Sequence, residues 1–246
     1  MSSPSDLPVT LLRLYGRVLY RGAQMTAGPL LRGLYNVRVR GASNVPKYGP
    51  AIIAPNHLSF IDPFFIALTM PRRIVFIGKA EYWDSWTTRW FFEMAGGIPV
   101  RREDPTGAKS SLEAGVEVLR QSGDLLGIFP EGTRSPDGRL FKGKTGAARM
   151  ALEVGCPVIP TGLVGTRHVL PKDAKIPGLG PRVSVTFGKP MRVPKEGHTD
   201  PHVLRVFTDE LMHRIAELSG QTYRHRYAYT KRLAAAPTPG ALSFNT

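Results

Sequence analysis

The sequence of 246 residues has a single cysteine, Cys156. No intrachain disulfide can form from it, and a metal site built on thiolates is excluded. Long apolar runs are missing too. No stretch reaches the roughly 20 apolar residues that a spanning helix needs. Nor is the N-terminus a secretory signal: arginines interrupt its apolar residues, and no apolar core precedes a small-residue cleavage site. These absences predict a protein of a reducing compartment with no spanning helix. Acids are scarce as well, 19 against 33 Lys plus Arg, for a net charge of +14. A balance this basic points to anionic partners, whether lipid surfaces, phosphorylated ligands or nucleic acid.

What is present is a hydrophobic content of 42%, which suits one large domain with a small extension. Residues 7–35 read as one or two helices. Leu11, Leu14, Tyr15, Val18 and Leu19 recur at helical spacing, Arg13, Arg17 and Arg21 fall on another face, and Gly28-Pro29 breaks the pattern. Such a segment either packs on the domain or lies in the plane of a membrane with its arginines toward head groups. Strand candidates follow at 37–41, 51–54, 73–78, 125–129, 157–165 and 182–188, with helical stretches between them. This alternation predicts an α/β fold: a mixed, mostly parallel central sheet flanked by helices, with an N-terminal amphipathic helical extension. The expected division is 1–36 for membrane association, 37–220 for the α/β domain and 221–246 for a C-terminal extension ending in a frayed tail.

The stretch "FPEGTRSPDGRLFKGKT", residues 129–145, offers two phosphate motifs. Gly138 to Thr145 satisfies the nucleotide-binding pattern G-x-x-x-x-G-K-[ST]. That loop needs a strand running into its first glycine. "TRSPD" occupies that place and reads as a turn, so the match is expected to be accidental. The other half, "FPEGTR", directly follows a strand candidate. Specific nucleic-acid binding is not expected either, because the arginines are spread out and no aromatic-flanked recognition motif accompanies them.

"AIIAPNHLSFIDPFF" begins as an apolar strand and ends as a helix. His57 sits at the strand exit, where open α/β sheets carry chemistry. Ser59 and Asp62 have capping-box spacing, with Ser59 the expected helix cap, and Pro63 suits a first helical turn. A carboxylate in that turn reaches back toward the preceding chain, which puts Asp62 in range of His57. A histidine held by a carboxylate has a fixed tautomer and raised basicity, as a general base requires. The bland alternative is that Asp62 only caps a helix.

Four ordered blocks carry a resemblance to a known family. "NHLSFIDP" resembles the first signature block of the glycerophospholipid acyltransferases, the lysophosphatidic acid acyltransferase family. "GGIPVRRE" (96–103) looks like the second, with departures at Pro99 and Arg101. "FPEGTRS" (129–135) is similar to the third, and "CPVIPTGL" (156–163) to the fourth. "GKAEYW" (78–83) and "FGKP" (187–190) also resemble family segments.

The resemblance implies an O-acyltransferase of phospholipid synthesis. It would move an acyl group from acyl-CoA or acyl carrier protein to lysophosphatidic acid, with glycerol 3-phosphate or another lysolipid as alternative acceptor. Beyond that co-substrate it implies no cofactor and no metal. His57 is the expected base and Asp62 its partner. Ser59 is a nucleophile only on paper, its hydroxyl being committed as a cap. Arg134 and Arg102 are expected to hold the acceptor phosphate, since a guanidinium binds phosphate oxygens in pairs. Gly132 would let backbone approach the ligand, with Thr133 beside it. Glu131 either orients Arg134, binds an acceptor hydroxyl or holds the loop as a buried partner. Lys79 either meets a substrate phosphate or is solvated. Trp83, Trp86, Trp90, Phe91 and Phe92 form either core or an interfacial belt. Together these readings place the protein peripherally on the cytoplasmic face of a membrane.

Overall fold

A computed structural model describes residues 9–70, 72–79, 84, 89, 97–100, 105–121, 124–172, 174, 176–194 and 200–228. Seven of the described strands form one sheet in the order β1-β8-β7-β2-β5-β3-β4. They are β1 (Arg38–Arg40), β2 (Ala51–Pro55), β3 (Ile74–Lys79), β4 (Ile98–Val100), β5 (Leu125–Gly127), β7 (Val158–Val164) and β8 (Ser184–Phe187). All neighbours pair in parallel except β7 with β8. The described helices are α1 (Val9–Leu34), α2 (Asp62–Thr69), α3 (Pro105–Gln121), α4 (Gly146–Val154), α5 (Thr166–Val169) and α6 (Pro201–Ser219). Two short strands, β6 (Leu140–Phe141) and β9 (Tyr223–Arg224), pair separately.

Side-chain alternation splits the core into two layers. Ile52 and Ala54 of β2 face α3, α4 and α6, where Leu119, Met150, Leu211 and Ile215 are fully buried. Ala51 and Ile53 face the other way, against Tyr20 of α1, Ile66 of α2 and Met70 just after it. Both faces are covered, so β2 carries an unbroken apolar run with no polar alternation.

The N-terminal segment is one helix running through Pro29, without the expected break. Pro29 lies on the exposed side of the helix, where the carbonyl that loses its helical donor faces solvent rather than the core. Gly28 marks the crossing with α2: a Cβ there would sit 2.8 Å from the Leu68 carbonyl oxygen. The docked face is largely polar. Tyr20 Oη donates to Ala67 O (3.0 Å), Gln24 Nε2 to Ala67 O (3.0 Å) and to Met70 O, and Arg32 Nη2 to Thr69 O (2.9 Å). These donors satisfy carbonyls that the end of α2 leaves open. The apolar side chains of Val18, Met25 and Leu30 are on the outside, each more than 60% exposed. Among the described residues no helix is long and apolar enough to cross a membrane.

The start of the C-terminal extension is ordered. β9 pairs in parallel with β6, and the Leu140 and Lys142 N–H groups donate to the carbonyls of Thr222 (3.1 Å) and Arg226 (2.9 Å). The segment expected to fray, 234–246, lies outside the described residues.

Candidate active site

Topology brings the first and third sequence blocks together. β2 and β5 are parallel neighbours with Ile53 opposite Gly127, and Ile128 N–H donates to Ile53 O (3.0 Å). The chain leaving β2 reaches His57 within two residues of the strand's end. The chain leaving β5 reaches Glu131 within four. Both segments therefore leave the same edge of the sheet side by side, where α/β folds place ligands.

Two contacts join them. Glu131 Oε1 accepts the His57 backbone N–H (3.1 Å), and the Ser135 N–H donates to His57 O (2.7 Å). Arg134 is thus covalently next to a residue bonded to His57, and the loop that carries it lies against the histidine. Thr133 and Arg134 are half-buried, and the Arg134 guanidinium has no hydrogen-bond or ion-pair partner among the described residues.

Asp62 is fully buried, and its Oδ2 collects three contacts. It lies 2.9 Å from His57 Nδ1 and accepts the N–H groups of Leu58 (2.7 Å) and Ser59 (2.8 Å). An oxygen already accepting two amide protons is an acceptor toward the ring too, so Nδ1 carries the proton. Nε2 then holds the lone pair and has no partner among the described residues. The His57 side chain is 16% exposed, enough for a reactant to reach Nε2. Its ring stacks on Phe129 (centroids 3.8 Å apart, planes at 18°), and Phe129 stacks on Phe76 (5.7 Å). Gly127 makes room for this column, because a Cβ there would overlap the Phe76 ring.

Ser59 is not the helix cap. Ile61 occupies that position, and Ser59 Oγ donates to Leu170 O (2.7 Å) across the fold. Asp62 reaches back to the Ser59 amide as the spacing predicts, but the reciprocal hydroxyl bond is absent. The hydroxyl is committed all the same, to a different partner.

Glu131 is buried at 3% exposure and holds two loops: Oε1 takes His57 N–H and Oε2 takes Phe141 N–H (2.9 Å). Burial pushes its carboxyl up to about 7, against the pull of those two amides. Of the three roles open to it, the geometry matches the loop-holding one. Gly132 has φ 71°, in the left-handed region that favours glycine.

The nucleotide-loop reading of Gly138 to Thr145 is overturned. β6 lies inside the pattern, and the amides a phosphate would need are already used. Leu140 N–H goes to Thr222 O, Phe141 N–H to Glu131, Lys142 N–H to Arg226 O and Lys144 N–H to Pro130 O (2.8 Å). A phosphate-cradling loop needs such donors free.

Arg101, Arg102, Trp83, Trp86, Trp90, Phe91 and Phe92, and the side chain of Lys79, lie outside the described residues. Two supporting residues were not singled out from sequence. Asn56, fully buried, exchanges hydrogen bonds with Leu163 N–H (2.7 Å) and O (2.9 Å), tying the end of β2 to β7. Gln221 then bridges Asn56 (2.6 Å) and Gly138 O (2.7 Å). The apolar strand before Asn56 was a signal for its burial, whereas nothing local signals Gln221.

A family model for acyltransferases matches residues 36–164. The chain belongs to the acyltransferase family. It is similar to the chloroplastic 1-acyl-sn-glycerol-3-phosphate acyltransferase LPAT1 of Arabidopsis thaliana, 33% identical over 154 residues, covering 62% of this chain and 43% of that protein. It is also similar to the human 1-acyl-sn-glycerol-3-phosphate acyltransferase alpha, 30% identical over 132 residues, covering 53% and 47%. The chain spans about half the length of the curated relatives it matches. Its fold matches the crystal structure of the LPA acyltransferase PlsC from Thermotoga maritima, with TM-score 0.61, 24% identity and coverage of 85% and 87%. The sheet flanked by helices is the architecture expected from the strand–helix alternation.

Proposed function

We propose that this protein transfers a fatty acyl group from an acyl thioester to the free hydroxyl of lysophosphatidic acid, yielding phosphatidic acid. The observation that carries the reading is the His57–Asp62 pair, with Nδ1 held by a buried carboxylate and Nε2 without a partner among the described residues. Nε2 takes the proton of the acceptor hydroxyl as its oxygen attacks the thioester carbonyl. Asp62 stabilises the imidazolium that forms. The tetrahedral intermediate expels the thiolate, which takes the proton back from His57 and leaves as thiol. No covalent enzyme intermediate is needed, in keeping with the commitment of the Ser59 hydroxyl to Leu170. Arg134, without a partner among the described residues and on the loop bonded to His57, holds the acceptor phosphate together with Arg102. Lysophosphatidic acid is named in the relatives' activity; glycerol 3-phosphate is the competing acceptor. The donor is acyl-CoA or acyl carrier protein.

The outer face of α1 supports peripheral attachment to the cytoplasmic face of a membrane. Val18, Met25 and Leu30 stand exposed with Arg21, while the helix docks through polar groups. Residues 1–36 are then the membrane-association segment of a 37–220 catalytic domain. Flotation with anionic vesicles tests this: Met25→Glu with Leu30→Glu should release the protein, and undiminished flotation would refute the placement.

The activity is tested with purified protein, labelled acyl-CoA and acyl carrier protein donors, and a panel of acceptors with products mapped by position. Phosphatidic acid formed from lysophosphatidic acid is the expected result. Transfer to none of the phosphorylated acceptors would refute the reading.

A further inference from the structure

The turn at Gly132 has a neighbour that the sequence motif does not contain. A Cβ built on Gly132 would lie 3.2 Å from Lys144 Cε and 3.3 Å from Lys144 Nζ. The lysine side chain therefore lies along the Glu131–Arg134 turn. Its backbone is fixed there by the bond from its N–H to Pro130 O and by β6, which Glu131 and β9 hold immediately upstream. The Lys144 side chain is exposed and has no hydrogen-bond or ion-pair partner among the described residues.

No acid among the described residues pairs with it. Both Glu131 oxygens accept backbone amides, and Asp137 is engaged by Arg139 through its side chain (3.5 Å) and its N–H (3.0 Å). Arg134, also without a partner among the described residues, lies two residues beyond Gly132 on the same turn. Two cations at one turn, without an anionic partner among the described residues, form a counter-charge for an external anion. Glycine at 132 is required by its φ, and a Cβ there would also shift the Lys144 side chain by a few tenths of an ångström.

We propose that Lys144 is a substrate-binding residue, a cation that with Arg134 holds a phosphate of the substrate beside His57. The proposal rests on the acyl-transfer reading. A phosphate monoester on the acceptor and the phosphates of a coenzyme donor have the same chemistry for an ammonium, so the experiment separates them.

The test compares the wild type with Lys144→Met, Lys144→Arg and Lys47→Met. Lys47 is exposed ahead of β2, at the sheet end opposite His57, and its loss removes the same charge. Lysophosphatidic acid and acyl-CoA are varied in turn. Lys144→Met should raise KM for one of them about tenfold, as loss of a charge-assisted bond does. Its kcat should change less than about twofold, Lys144→Arg should restore most of the loss, and Lys47→Met should behave as wild type. A rise confined to lysophosphatidic acid assigns the phosphate to the acceptor, and one confined to acyl-CoA assigns it to the donor. Unchanged KM for both, or an equal loss in Lys47→Met, overturns the proposal.

A binding measurement keeps this separate from failure of the acyl-transfer reading. Phosphorus NMR titrations of sn-glycerol 3-phosphate and of coenzyme A compare wild type with Lys144→Met, each checked for folding by circular dichroism. Weaker binding in the variant sustains the site even if the wild type transfers no acyl group. Identical binding of both ligands overturns it.

Discussion

Among the described residues, two base–carboxylate pairs of the same length stand at opposite ends of the sheet. His57 and Asp62 meet at 2.9 Å beyond the C-terminal end of β2, with side-chain exposures of 16% and 0%. Arg73 and Asp124 meet at 2.9 Å just before β3 and β5, with exposures of 17% and 9%. Distance and burial do not distinguish them. Chemistry and position do. A guanidinium never gives up its proton at working pH, so the Arg73 pair joins two strand entries and can do no more. An imidazole bound through one nitrogen offers a lone pair on the other, and here it does so at the sheet edge that collects loops. A short buried ion pair is thus weak evidence of a site.

Substitutions can break this contrast. The largest effect is expected at His57. His57→Ala should lower acyl transfer by about 10³-fold or more, the scale of a lost general base, with thermal unfolding near that of the wild type. Near-normal turnover in a folded variant would sink the mechanism. Asp62→Asn should follow at about 10²-fold or more. Its amide oxygen can keep the Leu58 and Ser59 bonds, because Asp62 Oδ1 has no partner among the described residues to hold the group the other way. The loss should therefore fall mainly on kcat, and a fall in stability with kcat intact would make Asp62 a structural residue only.

At the other end, Asp124→Asn should lower stability by about 2–3 kcal/mol, because it leaves the Arg73 charge mostly buried without its carboxylate. Chemical denaturation reads this, and kcat should stay within about twofold of wild type. A selective loss of kcat would mean that the two ends are coupled.

Glu131 links the reactive loop to pH. Its folded pKa is raised from 4.5 to about 7, chiefly by burial. The folded protein binds more protons than the unfolded chain between those values. The stability this group contributes is full below about 4.5 and is lost as pH rises through about 7. Glu131→Gln should flatten unfolding free energy against pH in that window, and an unchanged slope would show that other groups set it. The smallest effect is expected for Ser59→Ala. It removes one buried hydroxyl bond to Leu170, costing about 1 kcal/mol, and should leave transfer within about twofold. Abolished transfer would instead make Ser59 a nucleophile.

Local pattern made much of this legible. The apolar run at 51–54 and the Gly or Pro at element ends marked strands and helices because burial and backbone freedom are local properties. The five-residue spacing of His57 and Asp62 was sufficient because the tight turn that enters α2 closes it. The short strands β4, β6 and β9 went unmarked: two or three residues have no readable period, and no longer apolar or alternating run flagged them as those at 37–41 and 125–129 flagged β1 and β5. The N-terminal helix misled in one way: its Gly-Pro step reads as a break but is tolerated at a crossing. Packing and membrane contact were both open to its apolar stripe. The structure docks Tyr20 and Gln24 on α2 and leaves Val18 and Leu19 exposed.

Residues 129–145 mark the boundary most clearly. Sequence by itself determined that a strand delivers "FPEGTR" to the sheet edge, that His57 and Asp62 are one turn apart, and that a turn precedes "GRLFKGKT". Tertiary structure alone decided that β2 and β5 are neighbours, so that Glu131 and Ser135 bond His57. It also turned Lys144 of the failed nucleotide pattern back over Gly132. The physical reason is sequence separation. Contacts within a helical turn are set by local geometry, whereas a contact across some seventy residues exists only once the sheet has chosen its strand order.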